Sequence, residues 1–330
     1  MHGLSADSCI LNFQDLNGSH IETLDQQPTA LEFLRIIHVS RPVIIKGFLA
    51  PSTRKWTNDY LIKKMGDRRI SVAITPNGRA DAVTRGPGDK FYFVEPHVEQ
   101  MSMKDLLSKL SKQEPPADVC YLQSQDGNLY SSEYFINDSP SEYEPLREDV
   151  PSEVSWCSEA LDRSPDAVNL WIGDGRSTTS IHSDPYENIY TVVRGEKRFT
   201  LLPPSDGWCL KERLYPHATF ARSSTSSSFE IIPLEDVPKI RWSSISDPNL
   251  RNALPADITP IQVHLRPGEA LYLPAGWWHY VQQAEEATIA INWWYDMEMR
   301  GMHWIFLDFL RNKEGLYVTD EDEDAHISDE

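Results

Sequence analysis

From Ala167 onward the chain is a series of short apolar runs, each closed by a turn residue. Residues 168–172, 177–182, 189–193, 197–202, 261–265, 269–273 and 288–294 have the length and the β-branched or aromatic content of strands. Arg194-Gly195-Glu196 and Arg266-Pro267-Gly268-Glu269 each lie between two such runs and predict tight antiparallel hairpins. A set of strands like this must protect its edges, either by stacking two sheets or by closing on itself. The expected fold is therefore mainly β with flanking helices, a sandwich or a double-stranded β-helix (jelly-roll) barrel.

The first half is mixed. Residues 29–38 place Leu31, Phe33, Leu34, Ile36 and Ile37 at helical spacing before Pro42, and Val43-Ile44-Ile45 follows as a short buried strand. Trp56-Thr57-Asn58-Asp59 reads as a helix entry capped by Thr57 or Asn58, with Tyr60, Leu61 and Met65 facing inward. Residues 70–75 alternate as a strand that stops at Pro76-Asn77-Gly78; residues 102–112 predict another amphipathic helix and 119–125 another strand. The stretch 126–165, rich in Asp, Glu, Ser and Pro, is expected to form long surface loops with short helical pieces. Residues 300–312 predict a closing helix with Met302, Ile305, Phe306, Phe309 and Leu310 as its buried stripe. Trp304 and Leu307 make a second face apolar as well, which leaves a homodimer open. Residues 319–330 carry seven carboxylates and are expected to be disordered. The organisation expected is an arm at 1–26, an α/β part at 27–166 packed on the barrel, the barrel itself at 167–299, the helix at 300–316 and the acidic tail at 317–330.

Charge narrows the partners. A net charge of −19 provides no Lys/Arg stripe for phosphates, so direct nucleic-acid binding is not expected; a basic protein surface would suit it, as would plain solubility. There is no run of eighteen apolar residues to span a membrane, and residues 1–8 have neither the basic nor the apolar region of a secretory signal. Cys9, Cys120, Cys157 and Cys209 are far apart and form no Cys-x-x-Cys, which fits a reducing compartment, cytoplasmic or also nuclear.

Within the strand series lies His182-Ser183-Asp184, and His279 sits in Trp277-Trp278-His279-Tyr280. Residues i and i+2 of a strand share a face, so His182 and Asp184 can aim two ligands inward while a neighbouring strand brings His279. Two imidazoles and one carboxylate hold one face of an octahedral ion and leave the other open; they suit Fe(II), and would also take Zn, Mn, Co or Ni. Lys197, fifteen residues after His182, narrows the choice. A buried lysine is costly without an anion, and a dicarboxylic 2-oxo acid that chelates the metal at one end would supply one at the other. Tyr121 and Thr179 can add hydroxyl donors, and Asn188 and Asn292 amides. Singly, Thr179 or Asn188 reads as an ordinary polar strand residue; together with Lys197 they mark a co-substrate pocket. A peptidase is set aside as the primary activity, because neither His-Glu-x-x-His nor Gly-x-Ser-x-Gly is present.

These residues carry a family resemblance. His182-Ser-Asp, Asn188, Gly195-Glu-Lys197, Pro203-Pro204 and Pro267-Gly-Glu with Leu273-Pro-Ala-Gly-Trp-Trp-His279 resemble the jumonji-C (JmjC), cupin-like 2-oxoglutarate oxygenases. Asp166-Ala-Val-Asn-Leu-Trp-Ile-Gly, Asp184-Pro-Tyr-Glu-Asn-Ile-Tyr, Asn292-Trp-Trp-Tyr-Asp-Met-Glu and Ser71-Val-Ala-Ile-Thr-Pro-Asn-Gly are most similar to the JmjC lysyl hydroxylases of developmentally regulated GTP-binding proteins. The resemblance covers about residues 28–312. It implies (3S)-hydroxylation of a lysine on a protein substrate with Fe(II), 2-oxoglutarate and O2. By it, His182, Asp184 and His279 match the iron ligands. Lys197 and Tyr121 match the anchors of the 2-oxoglutarate carboxylate, and Thr179, Asn188 and Asn292 match supporting positions.

A lysine entering such a site needs an acidic or hydroxyl-lined mouth, for which Tyr186, Glu187 and Asp296 are candidates by proximity in sequence. Trp277, Trp278, Trp293 and Trp294 are expected mostly as core or barrel wall. The alternatives are a JmjC demethylase of N-methyl-lysine or arginine, which needs the same metal and co-substrate residues, and a non-catalytic cupin scaffold.

Overall fold

The computed structural model describes residues 16–111, 118–123, 129–131, 141–223, 228–284 and 287–312. The expected acidic tail, residues 1–15 of the arm and much of 124–140 lie outside the described residues. In the first half, β1 (Glu22–Leu24), helix α1 (Ala30–Val39), β2 (Val43–Phe48), α2 (Ser52–Lys55) and α3 (Asn58–Met65) lead into β3 (Arg69–Thr75). Strands β4 (Arg79–Ala80), β5 (Ala82–Arg85), β6 (Phe91–Glu95) and β7 (His97–Ser102) follow, then α4 (Met103–Leu110), β8 (Val119–Gln123), β9 (Tyr130–Ser131) and α5 (Ser155–Leu161). The second half begins with β10 (Ala167–Gly173), β11 (Thr178–His182), β12 (Tyr186–Arg194) and β13 (Lys197–Leu202). Four further strands are β14 (Arg213–Tyr215), β15 (His217–Arg222), β16 (Phe229–Pro233) and β17 (Ile240–Trp242). The chain then continues through β18 (Ile261–Leu265), β19 (Gly268–Leu273), β20 (Trp278–Gln283) and β21 (Thr288–Asp296) to helix α6 (Met302–Asn312).

Local chemistry starts the helices where the sequence places them. Thr29 and Ser102 close capping boxes with Glu32 and Asp105, and Thr57 caps α3, so each frees the first turn of unpaired N–H groups.

Two sheets form the centre, one ordered β1-β2-β19-β12-β21-β10-β8-β3-β7, the other β18-β13-β20-β11-β4. From β10 to β13, and again from β18 to β21, consecutive strands alternate between the two sheets, as in a jelly roll. This corrects the two expected hairpins. β12 and β13 are joined by the tight Gly195 turn yet lie in different sheets, and β18 and β19 around Gly268 do the same. Both turns are corners that carry the chain across the interior. Period-two patterning cannot tell a corner from a hairpin, because either arrangement buries the inward residues. Here Tyr190 and Val192 of β12 meet Phe199 and Leu201 of β13 in one cluster between the sheets. The Gly195 corner has φ +84°, and a Cβ there would sit 2.3 Å from Thr288 Oγ1, so only glycine fits without movement.

The central strands of the larger sheet, β10, β12 and β21, are buried on both faces. Outward-facing Val168, Leu170, Ile172, Ile289, Ile291, Trp293 and Tyr295 join the main core with Phe33, Leu61, Leu106, Leu107 and Trp156 from the helices. The alternate residues Asn169, Trp171, Ala290, Asn292 and Trp294 therefore face the second sheet. Strands from both sides of residue 167 share this sheet, since β2, β3, β7 and β8 extend it.

Two further expectations are corrected. The described part of 126–165 is anchored inside rather than laid over the surface: Tyr143, Leu146, Val150, Val154, Trp156 and Cys157 are buried in the main core. Helix α6 docks through Trp304 and Leu307, and of the expected stripe only Leu310 joins them. Met302, Ile305, Phe306 and Phe309 are 62%, 51%, 59% and 57% exposed, while Trp304, Leu307 and Leu310 are half-buried. A helix apolar around most of its circumference has no periodicity to choose a face, so its neighbours choose it. Leu307 fills the notch left by Gly276 (φ +79°), where a Cβ would come within 2.6 Å of the leucine. Arg311 adds two bonds to the buried carboxylate of Glu212, at 2.6 and 3.0 Å, beside Arg241.

Candidate metal centre

His182, at the end of β11, and His279, on β20, are paired across the sheet, and a β-bulge lies between Thr179 and His182. Asp184 follows in the short link to β12. One ligand atom from each of the three lies within 4.8 Å of the others. Asp184 Oδ2 is 3.7 Å from His182 Nε2 and 3.6 Å from His279 Nε2, and the imidazole centroids are 4.2 Å apart.

The second ring nitrogen of each histidine is already committed. His182 Nδ1 is 2.8 Å from the Ser180 carbonyl and His279 Nδ1 is 3.0 Å from that of Trp277. A carbonyl only accepts, so Nδ1 carries the proton, and both Nε2 lone pairs point at Asp184. Burial, with the neighbouring His182, lowers the His279 pKa to about 4, which keeps that ring neutral. Burial also works against a charged His182, but Asp184 outweighs it and raises its pKa; burial opposes ionised Asp184 in turn, and the two imidazoles hold its pKa down. Two neutral-capable imidazoles and one carboxylate are the donor set for a divalent transition metal, Fe(II) included.

Lys197 is 2% exposed, and its ammonium donates to the Tyr121 hydroxyl at 3.1 Å. Among the described residues no carboxylate pairs with it, and burial pushes its pKa down to about 7. Thr179 shares a hydrogen bond with the same phenol. Asn292 Nδ2 donates to Asn188 Oδ1 at 3.1 Å, and Trp171 Nε1 to Asn292 Oδ1 at 2.7 Å. Tyr121, Thr179, Asn188 and Asn292 line one cavity with His182, Asp184 and His279, and Lys197 lies directly against Tyr121. The candidate residues thus converge, and a buried cation facing only a neutral phenol fits a small anion at this end of the cavity.

The expected mouth is only partly there. Glu187 is turned into the core, where its carboxylate accepts from Tyr272 Oη at 2.7 Å and the Ala275 amide at 3.4 Å. Asp296 pairs with Arg163 at 3.5 Å. Tyr186 stacks on Trp294, 4.9 Å away, and Trp294 lines the cavity; Trp277, Trp278 and Trp293 are buried. Sequence reasoning missed Trp242, whose ring stacks on His182 at 5.8 Å and 9°. It lies sixty residues from that ligand, with no local pattern linking the two.

The turn carrying Asp184 is held from behind. Gly276 N–H donates to the Asp184 carbonyl at 2.8 Å, and Leu307 of α6 packs on Gly276.

A family model described as a cupin-like domain matches residues 28–301. The chain is 38% identical to the Bifunctional peptidase and (3S)-lysyl hydroxylase JMJD7 of Homo sapiens, over 89% of this chain and 90% of that protein. It is 34% identical to the Lysine-specific demethylase JMJ32 of Arabidopsis thaliana, over 94% of each. It is also 34% identical to the JmjC domain-containing protein E of Dictyostelium discoideum, over 87% of this chain and 86% of that protein. With the jelly-roll sheets and the His-Asp-His trio, these likenesses establish that the chain belongs to the cupin-like JmjC family of 2-oxoglutarate-dependent oxygenases.

Proposed function

We propose that the chain is an Fe(II)- and 2-oxoglutarate-dependent protein hydroxylase that acts at C3 of a lysine on a protein substrate. The observation that carries this reading is the pairing, in one cavity, of an open N2O ligand trio with a buried lysine that lacks an anion. The choice of lysine rests on the likeness to the human (3S)-lysyl hydroxylase; the substrate we assign, a developmentally regulated GTP-binding protein, rests on the motif resemblance at 166–173 and 184–190.

His182, Asp184 and His279 would hold the metal. Lys197 and Tyr121 would bind the distal carboxylate of 2-oxoglutarate, with Thr179 fixing the Tyr121 hydroxyl and Asn188 and Asn292 supplying amides along its length. Metal and 2-oxo acid together supply the oxidising power to insert one oxygen of O2 into an unactivated C–H bond. The protein's share is orientation: Nδ1 bonds lock both rings, and Trp171 fixes the Asn292 amide. Trp242 covers the outer face of His182. The net negative charge favours approach of a basic protein surface, in cytoplasm or nucleus.

The plant relative's name supports a second reading, N-methyl-lysine demethylation, which needs the same metal and anion residues. The test is anaerobic loading with Fe(II) and 2-oxoglutarate, then exposure to O2 with a lysine peptide from a GTP-binding protein. Peptide mass is read out, with His182→Ala as control. Gain of one oxygen on lysine supports the hydroxylase; loss of a methyl from a methylated peptide supports the demethylase. Shortened peptides would point to the peptidase activity in the human relative's name. Absence of succinate under all conditions would leave the scaffold.

A further inference from the structure

We infer that Asp81 is the receptor for the substrate's ammonium group and so sets the preference for lysine. The inference rests on the lysyl hydroxylase reading and adds to it the residue that would recognise the cation.

Asp81 stands between β4 and β5 with φ +52°, in the left-handed region that L residues rarely adopt. Its backbone is tied to the metal strand: Ser180 Oγ donates to the Asp81 carbonyl at 2.6 Å and itself accepts from Trp242 Nε1 at 3.1 Å. The Ser180 carbonyl is the one that orients His182. Asp81 is therefore fixed relative to the metal centre by two side chains that also touch His182 or its strand.

The carboxylate is half-buried and poorly compensated. Its one hydrogen bond among the described residues comes from a neutral amide, Gln123 Nε2, to Oδ2 at 2.7 Å, and no lysine or arginine pairs with it. Gln123 is two residues beyond Tyr121 on β8, so both project from the same face of that strand. The charges that act on Asp81 are His182 and His217, which favour its ionised form, and Glu95, which opposes it; His217 is itself engaged by Glu95 at 3.1 Å. A half-buried carboxylate with only a neutral amide as donor is stabilised by an arriving cation.

The spacing fits one chemistry better than the other. Asp81 is tied through its carbonyl to Ser180, two residues before His182, and among the described residues it is not one of the groups within ligand distance of the trio, so it stands back from the metal centre. In an extended lysine the ammonium is four bonds, about 5 Å, from C3. An acid set back from the metal therefore suits oxidation at C3, with the ammonium held away. Demethylation would bring the nitrogen to within one bond of the reacting carbon.

The test is binding of a glycine- and serine-flanked peptide with one central lysine, against the same peptide with norleucine, to full-length protein loaded anaerobically with Fe(II) and 2-oxoglutarate. Wild type should prefer lysine by about tenfold or more, the scale of a charge-assisted hydrogen bond. Asp81→Asn should bring the ratio to within about twofold of unity. Asparagine tolerates the left-handed backbone, so the variant should keep the fold, checked by its unfolding midpoint. Wild type that does not discriminate, or Asp81→Asn that discriminates equally well, overturns the inference. Loss of discrimination in the variant without hydroxylated lysine in the wild type would keep the cation site and sink the hydroxylase reading. Hydroxylated lysine with an unchanged ratio would do the reverse.

Discussion

Replacing Lys197 with methionine isolates the energetic cost of the anion end of the cavity. The side chain is fully enclosed, and burial moves its pKa from 10.5 to about 7. At about 1.4 kcal/mol for each pH unit, this corresponds to on the order of 5 kcal/mol against the charged amine. The folded state releases this proton more readily than the unfolded chain does. Protein free of 2-oxo acid therefore carries the full penalty below pH 7 and regains it as pH rises towards 10.5. Methionine keeps the length of the stem and removes the charge. Lys197→Met should stabilise the metal-free, 2-oxo-acid-free protein at pH 7 by up to about 4 kcal/mol, less about 1 kcal/mol for the lost bond to Tyr121. The difference between the two proteins should then shrink by about 1.4 kcal/mol per pH unit between pH 7 and 10. Urea denaturation across that pH range measures it, with the wild-type minus variant difference cancelling every other titrating group. The same substitution should weaken 2-oxoglutarate binding by about 3–5 kcal/mol, a loss of a hundredfold or more, because it removes one partner of a buried ion pair. A pH-independent difference, or a variant that binds 2-oxoglutarate like wild type, would refute the argument.

Alanine at His182, Asp184 or His279 should each lower Fe(II) affinity by at least about tenfold, read by anaerobic calorimetry, since each removes one of three ligands. Tyr121→Phe removes the acceptor of the Lys197 ammonium and should cost 2-oxoglutarate affinity about 1 kcal/mol, roughly fivefold. Gly276→Ala meets both a positive φ and Leu307, and should destabilise the protein by about 1–3 kcal/mol while loosening metal binding. Adding Leu307→Ala should recover part of that loss, measured as a coupling energy in a double-mutant cycle.

The metal ligands were legible in the sequence because His182-Ser-Asp is a local motif, although Asp184 lies in the link after β11 and is aimed by the turn that Gly276 holds rather than by strand alternation. Lys197, Thr179, Asn188 and Asn292 were legible for a related reason, as polar residues on otherwise apolar strands. Sheet membership was not legible. A one-residue glycine corner and a hairpin leave the same pattern, so the Gly195 and Gly268 turns were assigned to the wrong partners. The docked face of α6 was lost because apolar residues surround the helix, and the choice was made by Gly276 and Glu212, far away in sequence. Glu187 shows the limit of proximity as a guide. It neighbours Asn188, which faces the cavity, and strand alternation sends Glu187 to the other side. Trp242 and Asp81 reach the site from segments whose strands are short and lack clear periodicity, so nothing local marked them.

The excursion between β13 and β18 leaves and re-enters the same sheet, with Leu201 and Ile261 paired at its neck. Topologically it is one long loop, so its length and content can change without rethreading the strands that carry His182 and His279. Yet it is this loop that lays Trp242 on His182 and brings His217 to Glu95 near Asp81. Part of the wall of the metal centre thus comes from a stretch of chain separate from the ligand strands. Edits within residues 203–260 can therefore reshape the wall around His182 without moving the ligand strands, while Asp81, outside that segment, keeps its place between β4 and β5.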